Sequence, residues 1–119
     1  MFKNALQQIS AKVEGVLGVM IVAHDGLIIE QISHSSDLNL ELMGAEFSGL
    51  LKSVRRFAKG SDIGTIQEMT LQTGQARLLF RAITDEYYLL LVMEREAIGG
   101  RAQHELRKAQ LLLEKEFIL

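Results

Sequence analysis

Two stretches of this sequence, residues 19–23 and 89–93, are apolar at every position, so neither face of either segment can be left to water. A strand with one wet face alternates polar and apolar residues, whereas a strand without one must be covered on both sides. The chain therefore has to place both segments in the middle of a sheet and supply helices to both faces of that sheet. At 119 residues it has room for one domain, taken as residues 1–119, and its 48% apolar and 24% charged content is ordinary globular composition.

The remaining elements follow from periodicity and punctuation. Phe2, Leu6, Ile9 and Val13 recur at helical spacing, and Gly15 ends that first helix. Residues 18–24 and 27–33 are β-branched runs separated by Asp25-Gly26, a pair whose two positions can both take positive φ, which predicts a hairpin. Ser35, Ser36 and Asp37 form a loop able to supply capping oxygens to a second helix over residues 39–59. Its apolar face is read as Leu40, Met43, Phe47, Leu50, Leu51, Val54, Phe57 and Ala58, and Gly60 is expected to stop it. Three strands over 65–73, 75–83 and 87–93 follow with short turns, which makes them an antiparallel meander. A last helix over 98–117 carries Ala102, Leu106, Ala109, Leu113 and Phe117 on one stripe, with Arg101 and Glu105 one turn apart. The element order is α-β-β-α-β-β-β-α. The second strand, with Glu30 and Gln31, and the third, with Gln67, Glu68, Thr70 and Gln72, suit the sheet edges. An antiparallel order of 2-1-5-4-3 satisfies the hairpins and the burial together, giving a three-layer α/β/α sandwich.

Composition excludes several functions. A net charge of −2 offers no field for phosphate backbones, so nucleic acid is not an expected partner. The chain has no cysteine, hence no disulfide, thiolate metal site or thiol nucleophile. The longest run of apolar residues and glycine, 15–23 apart from Glu14 before it, is too short to span a bilayer, and the first segment reads as an amphipathic helix rather than a signal peptide. A cytoplasmic protein with no membrane contact is expected. Gly60, Gly64, Gly99 and Gly100 lack the lysine of a phosphate-cradling loop and are read as turn residues. His24 and His34 stand at opposite ends of the hairpin, about 20 Å apart at roughly 3.3 Å per residue, and His104 lies on the last helix, so no metal site is expected. Ser48 and Ser53 have no histidine in their segment, and Asp25, Asp85 and Glu86 fall in turns that collect such residues for backbone reasons. No enzyme activity and no cofactor are expected.

The second helix is unusual away from its apolar face. Gly44, Ala45, Ser48 and Gly49 are small, and an interior glycine costs a helix about 1 kcal/mol relative to alanine. Close approach of another backbone would account for it: the chain's own sheet for Gly44, a second subunit for Ala45, Ser48 and Gly49. The basic group Lys52, Arg55, Arg56 and Lys59 complements the negative end of the helix dipole and also forms a candidate partner surface.

The run Val13-Glu-Gly-Val-Leu-Gly-Val-Met-Ile-Val-Ala-His-Asp-Gly-Leu-Ile-Ile-Glu30 resembles the passage from first helix to hairpin in the roadblock family of dynein-light-chain-like proteins. The run from Met93 to Leu106, Met-Glu-Arg-Glu-Ala-Ile-Gly-Gly-Arg-Ala-Gln-His-Glu-Leu, is similar to that family's last strand, glycine turn and final helix. The likeness covers nearly the whole chain and is nearest in kind to the family's bacterial gliding-motility regulators. It implies a non-catalytic module that forms a homodimer through the second helix and third strand, joining two sheets into one. It also implies service as a platform or regulator for a small Ras-like GTPase. On that basis the dimer contacts are expected at Ala45, Ser48, Gly49, Lys52, Gln67, Met69 and Leu71, and the partner contacts at Glu41, Ala45, Lys52, Arg55 and Arg56. The sequence stops at Leu119, directly after the last helix, so no function resting on a longer tail is expected. Two other functions remain open: a purely structural adaptor, and a small-ligand sensor, which would need a sizeable pocket with converging polar groups.

Overall fold

The computed structural model describes residues 2–97 and 99–117. In chain order these form α1 (Phe2–Lys12), β1 (Val16–Ala23), β2 (Ile28–Ser33), α2 (Leu40–Gly60), β3 (Glu68–Gln72), β4 (Ala76–Ala82), β5 (Tyr87–Glu94) and α3 (Gly99–Phe117). The five strands make one antiparallel sheet in the order β2-β1-β5-β4-β3. The two wholly apolar segments are its centre: β1 pairs β5 from Val16↔Met93 to Ala23↔Tyr87. Odd-numbered residues of this pair (Val19, Ile21, Leu89, Leu91, Met93) bury against α1 and α3, while Met20, Val22, Tyr88, Leu90 and Val92 bury on the α2 side. The layered sandwich and strand order expected from the sequence are those observed.

Local details differ from expectation in instructive ways. At the hairpin, Gly26 alone takes positive φ (92°); the Gly26 amide donates to the Ala23 carbonyl, the Ala23 amide to the Leu27 carbonyl. That is a four-residue turn closed by a glycine bulge, so Asp25 needs no left-handed backbone and instead accepts from the Leu27 amide through Oδ1 at 3.1 Å. The cap of α2 is Asn39, whose Oδ1 accepts from the Leu42 amide at 3.1 Å, and not Ser35, Ser36 or Asp37, which lie too early to reach the first turn. Gly60 does not stop α2 but is its last residue; the chain turns at Ser61 and at Asp62, which holds φ at 55°. Strand β3 is also shorter than the span 65–73, because residues 65–66 diverge from β4 before pairing begins. The expected start of the last helix at Ile98 lies outside the described residues.

The two sheet faces are covered unequally. Helices α1 and α3 pack side by side on one, tied at their ends by Phe117 stacked between Phe2 (5.1 Å) and Tyr87 (4.0 Å). Helix α2 is alone on the other. Five strands spaced about 4.8 Å apart make a face roughly 20–25 Å wide, and one helix with its side chains spans about 10 Å of it. The residue that α2 cannot reach is visible in the burial: Met69, Leu71, Ala76 and Leu78 of β3 and β4 are only half-buried on the α2 side.

Because Leu90 is fully buried in the central pair, Leu90→Ala is expected to cost about 2–5 kcal/mol of stability. Leu111, 53% exposed on α3, serves as the contrast, with Leu111→Ala within about 0.5 kcal/mol of wild type by urea unfolding.

Candidate interaction surface

The position of α2 is fixed by small residues and one buried polar contact. A Cβ on Gly44 would lie 3.4 Å from the Gly26 carbonyl oxygen and 3.5 Å from Ile28, so Gly44 meets the chain's own hairpin, as expected. A Cβ on Gly26 would come within 3.1 Å of the Ala45 Cα, so the helix and the turn interlock backbone to backbone. Ser48 does not belong to an outer surface. It is 4% exposed, and its hydroxyl lies 2.8 Å from the Tyr88 hydroxyl on β5, which in turn donates to the Gly44 carbonyl at 3.4 Å. Its small size fits this seat. Phe47, Phe80 and Tyr88 pack around the same point with ring centroids 5.3–5.7 Å apart. Burial pushes the Tyr88 phenol above its usual pKa, partly offset by the Ser48 hydrogen bond and the charge of Arg55.

The other expected surface residues fall where the helical period puts them. Glu41, Ala45, Gly49, Lys52 and Arg56 are exposed on the outer side of α2, and Gly49 has nothing within 4 Å of its would-be Cβ. Arg55 is half-buried, which sets it apart from that stripe. Gln67 is exposed ahead of β3, and Met69 and Leu71 are half-buried on the α2 side of that strand.

Sequence periodicity missed the most apolar part. Leu50 (41% exposed) and Phe57 (64%) were expected in the core face of α2, yet they turn outward together with Leu42 (55%). Met43, Leu50 and Phe57 recur every seven residues and form a stripe on the helix flank. The apolar arc on α2 is wider than one helix–sheet contact can bury, and that excess width was the available signal. The outward stripe and the half-buried β3–β4 residues make up an apolar surface that none of the described residues covers.

The two sheet edges also differ. Edge strand β2 carries a bulge between Ile21 and Val22 pairing, which leaves Ile29 unpaired, and the Gln31 amide is taken by the Glu30 carboxylate at 3.2 Å. Bulges and charged side chains are devices that blunt an edge. Edge strand β3 runs in unbroken register from Glu68↔Arg81 to Gln72↔Arg77. Since Gln67 and Thr73 exchange ladder bonds with β4, the antiparallel alternation turns the backbone groups of Glu68, Thr70 and Gln72 outward. Among the described residues no metal-binding group of side chains occurs, and no helix is long and apolar enough to cross a membrane.

The site is thus a three-layer sandwich with one under-covered face and one regular sheet edge. The Roadblock/LC7 domain family model matches residues 3–93, and the chain belongs to that family. Its fold is that of the Roadblock/LC7 domain from Streptomyces avermitilis (TM-score 0.86, 16% identity, covering 97% of this chain and 96% of that one). Myxococcus xanthus MglB is similarly alike (TM-score 0.89, 13% identity, 98% and 94% covered). MglC from Myxococcus xanthus is more distant in shape at TM-score 0.69, with 23% identity over 97% and 98% of the chains. No curated relative matches the sequence at a significant level.

Tyr88→Phe removes the partner of a buried Ser48 hydroxyl and is expected to cost about 1–3 kcal/mol. With burial raising its folded-state pKa above the ordinary phenol value of about 10, the native state holds the proton more tightly than the unfolded chain. That contribution is therefore complete below pH 10 and is lost as pH rises beyond it. The alkaline decline in melting temperature should be shallower in Tyr88→Phe, measured by circular dichroism between pH 8 and about 11.

Proposed function

We propose that this chain is a non-catalytic, homodimeric interaction module that regulates or scaffolds a small Ras-like GTPase. The observation that carries the dimer is the unfinished α2 side: a second α2 laid beside the first would cover Met43, Leu50, Phe57, Met69 and Leu71. Pairing two β3 edges antiparallel about Thr70 would do this while joining the sheets. Thr70 would then face its own copy and Glu68 would face the second copy's Gln72, so no like charges meet across the junction. Ala45, Gly49, Lys52, Gln67, Met69 and Leu71 stay in this proposed interface; Ser48 acts from beneath it. The related protein MglB is described as having a tetrameric arrangement, which accords with a family that assembles.

The GTPase rests on family membership and on the resemblance to bacterial gliding regulators. Two α2 helices side by side would present Glu41, Ala45, Lys52, Arg55 and Arg56 in duplicate, a mixed polar platform of the kind non-obligate partners use. With Arg55 half-buried on α2, stimulation would come from holding the GTPase's switch loops in a competent arrangement, not from an inserted arginine.

Light scattering coupled to gel filtration is expected to give twice 13.3 kDa at micromolar concentration, and Phe57→Lys is expected to give monomer with an unchanged circular dichroism spectrum. A wild-type monomer under those conditions would sink the dimer. Single-turnover GTP hydrolysis by the cognate GTPase is expected to speed up in the presence of the protein and to stay within about threefold of that rate with Arg55→Ala or Arg56→Ala. Loss of roughly 10³-fold or more in one arginine variant, with binding kept, would replace the platform by an arginine finger. Binding without any change in rate would favour the structural adaptor.

A further inference from the structure

A groove of about 610 Å³ opens at the C-terminal end of α2, where the segment leading into β3 crosses the end of the sheet between α2 and α3. Its size is that of small-molecule sites, about 300–1,000 Å³. Ala58 (2% exposed) and Ile83 (5%) lie in its lining as buried apolar floor. Arg55 and Lys59 line it from α2; Glu114 lines it from α3, with Asp85 from the turn between β4 and β5. Among the described residues none of these four charges belongs to an ion pair, although pairs form elsewhere on the molecule. Asp62 adds a third carboxylate to the lining.

The anionic wall is held in place. Arg81 Nε donates to Gln110 Oε1 at 3.0 Å, and Gln110 Nε2 donates to Glu114 Oε2 at 3.0 Å, while Arg81 is itself fixed by Glu68 at 2.7 Å. One oxygen of Glu114 is thereby committed, and the other has no hydrogen-bond partner among the described residues. A site of this volume, with an apolar floor, cations from α2 and carboxylates from α3 and the β4–β5 turn, suits a ligand that carries both charges with apolar matter between them. We propose that the groove binds a short peptide with free termini, two or three residues long, its carboxylate toward Arg55 and Lys59 and its ammonium toward Asp85 and Glu114. A free amino acid bears both charges on one carbon and would leave most of the volume to water. Three extended residues reach about 10 Å at roughly 3.3 Å each, and small apolar side chains suit the Ala58 and Ile83 floor.

Titration calorimetry of the full chain with Ala-Ala-Ala and Ala-Leu-Ala tests this directly. Saturable binding with a Kd below about 1 mM is expected, weakened about tenfold or more when either peptide is N-acetylated or C-amidated. Lys59→Glu and Glu114→Gln, both at exposed or half-buried positions, are each expected to weaken it about tenfold with unchanged melting temperature. Absence of saturable heat, or equal affinity for blocked and free peptides, overturns the proposal. So does a groove already filled by a second copy of the chain, which would show as no peptide binding together with a changed oligomeric state in Lys59→Glu.

Discussion

Residues 19–22 of β1 and 88–93 of β5 have no exposed surface at all, and the rest of the molecule is arranged to keep them dry. Each large apolar side chain fully buried in this pair contributes about 1.5–3 kcal/mol relative to exposure. A two-strand centre of that kind dictates helices on both faces and pushes the more polar strands β2 and β3 to the edges. The order β2-β1-β5-β4-β3 is then the arrangement that short antiparallel connections allow.

Three helices cannot cover two faces evenly. Two of them, α1 and α3, finish one side, and α2 is left to cross the other, pinned by Gly44 against the Gly26 turn and by Ser48 against Tyr88. Pinning α2 at that spot leaves Met69, Leu71 and Leu78 half-wet and turns Leu50 and Phe57 outward. The surface available for a partner is thus a consequence of how the core is closed. Edge chemistry follows the same division: β2 is blunted by its bulge and by Glu30, whereas β3 keeps a regular ladder with its outer backbone groups unused. The proposed dimer would draw on both asymmetries at once.

Much of this was legible in the residues. Alternation and its absence located every strand, and helical spacing located every helix, because burial imposes periods of two and 3.6 on the sequence. Boundaries were less legible. Asn39 and not Ser35, Ser36 or Asp37 caps α2 because the cap oxygen must reach an amide within the first turn. The small residues of α2 were recognised as a sign of close approach, but the bond of Ser48 to Tyr88 was not. A hydroxyl on a helix reads the same whether it meets solvent, a second subunit or a buried tyrosine forty residues away, and only the packing of α2 on β5 tells them apart. For the same reason Leu50 and Phe57 looked like core: an apolar arc states what avoids water, not which neighbour covers it.

By itself, then, the sequence determined the layers, the strand order and the absence of any thiol, since those depend on local periodicity, turn chemistry and composition. Tertiary structure decided which apolar residues were left over, which sheet edge stayed open, and that Arg55, Lys59, Asp85 and Glu114 gather around one groove. These are properties of distances between segments far apart in the chain. They depend on the width of a five-stranded face against the width of one helix, which no single segment encodes.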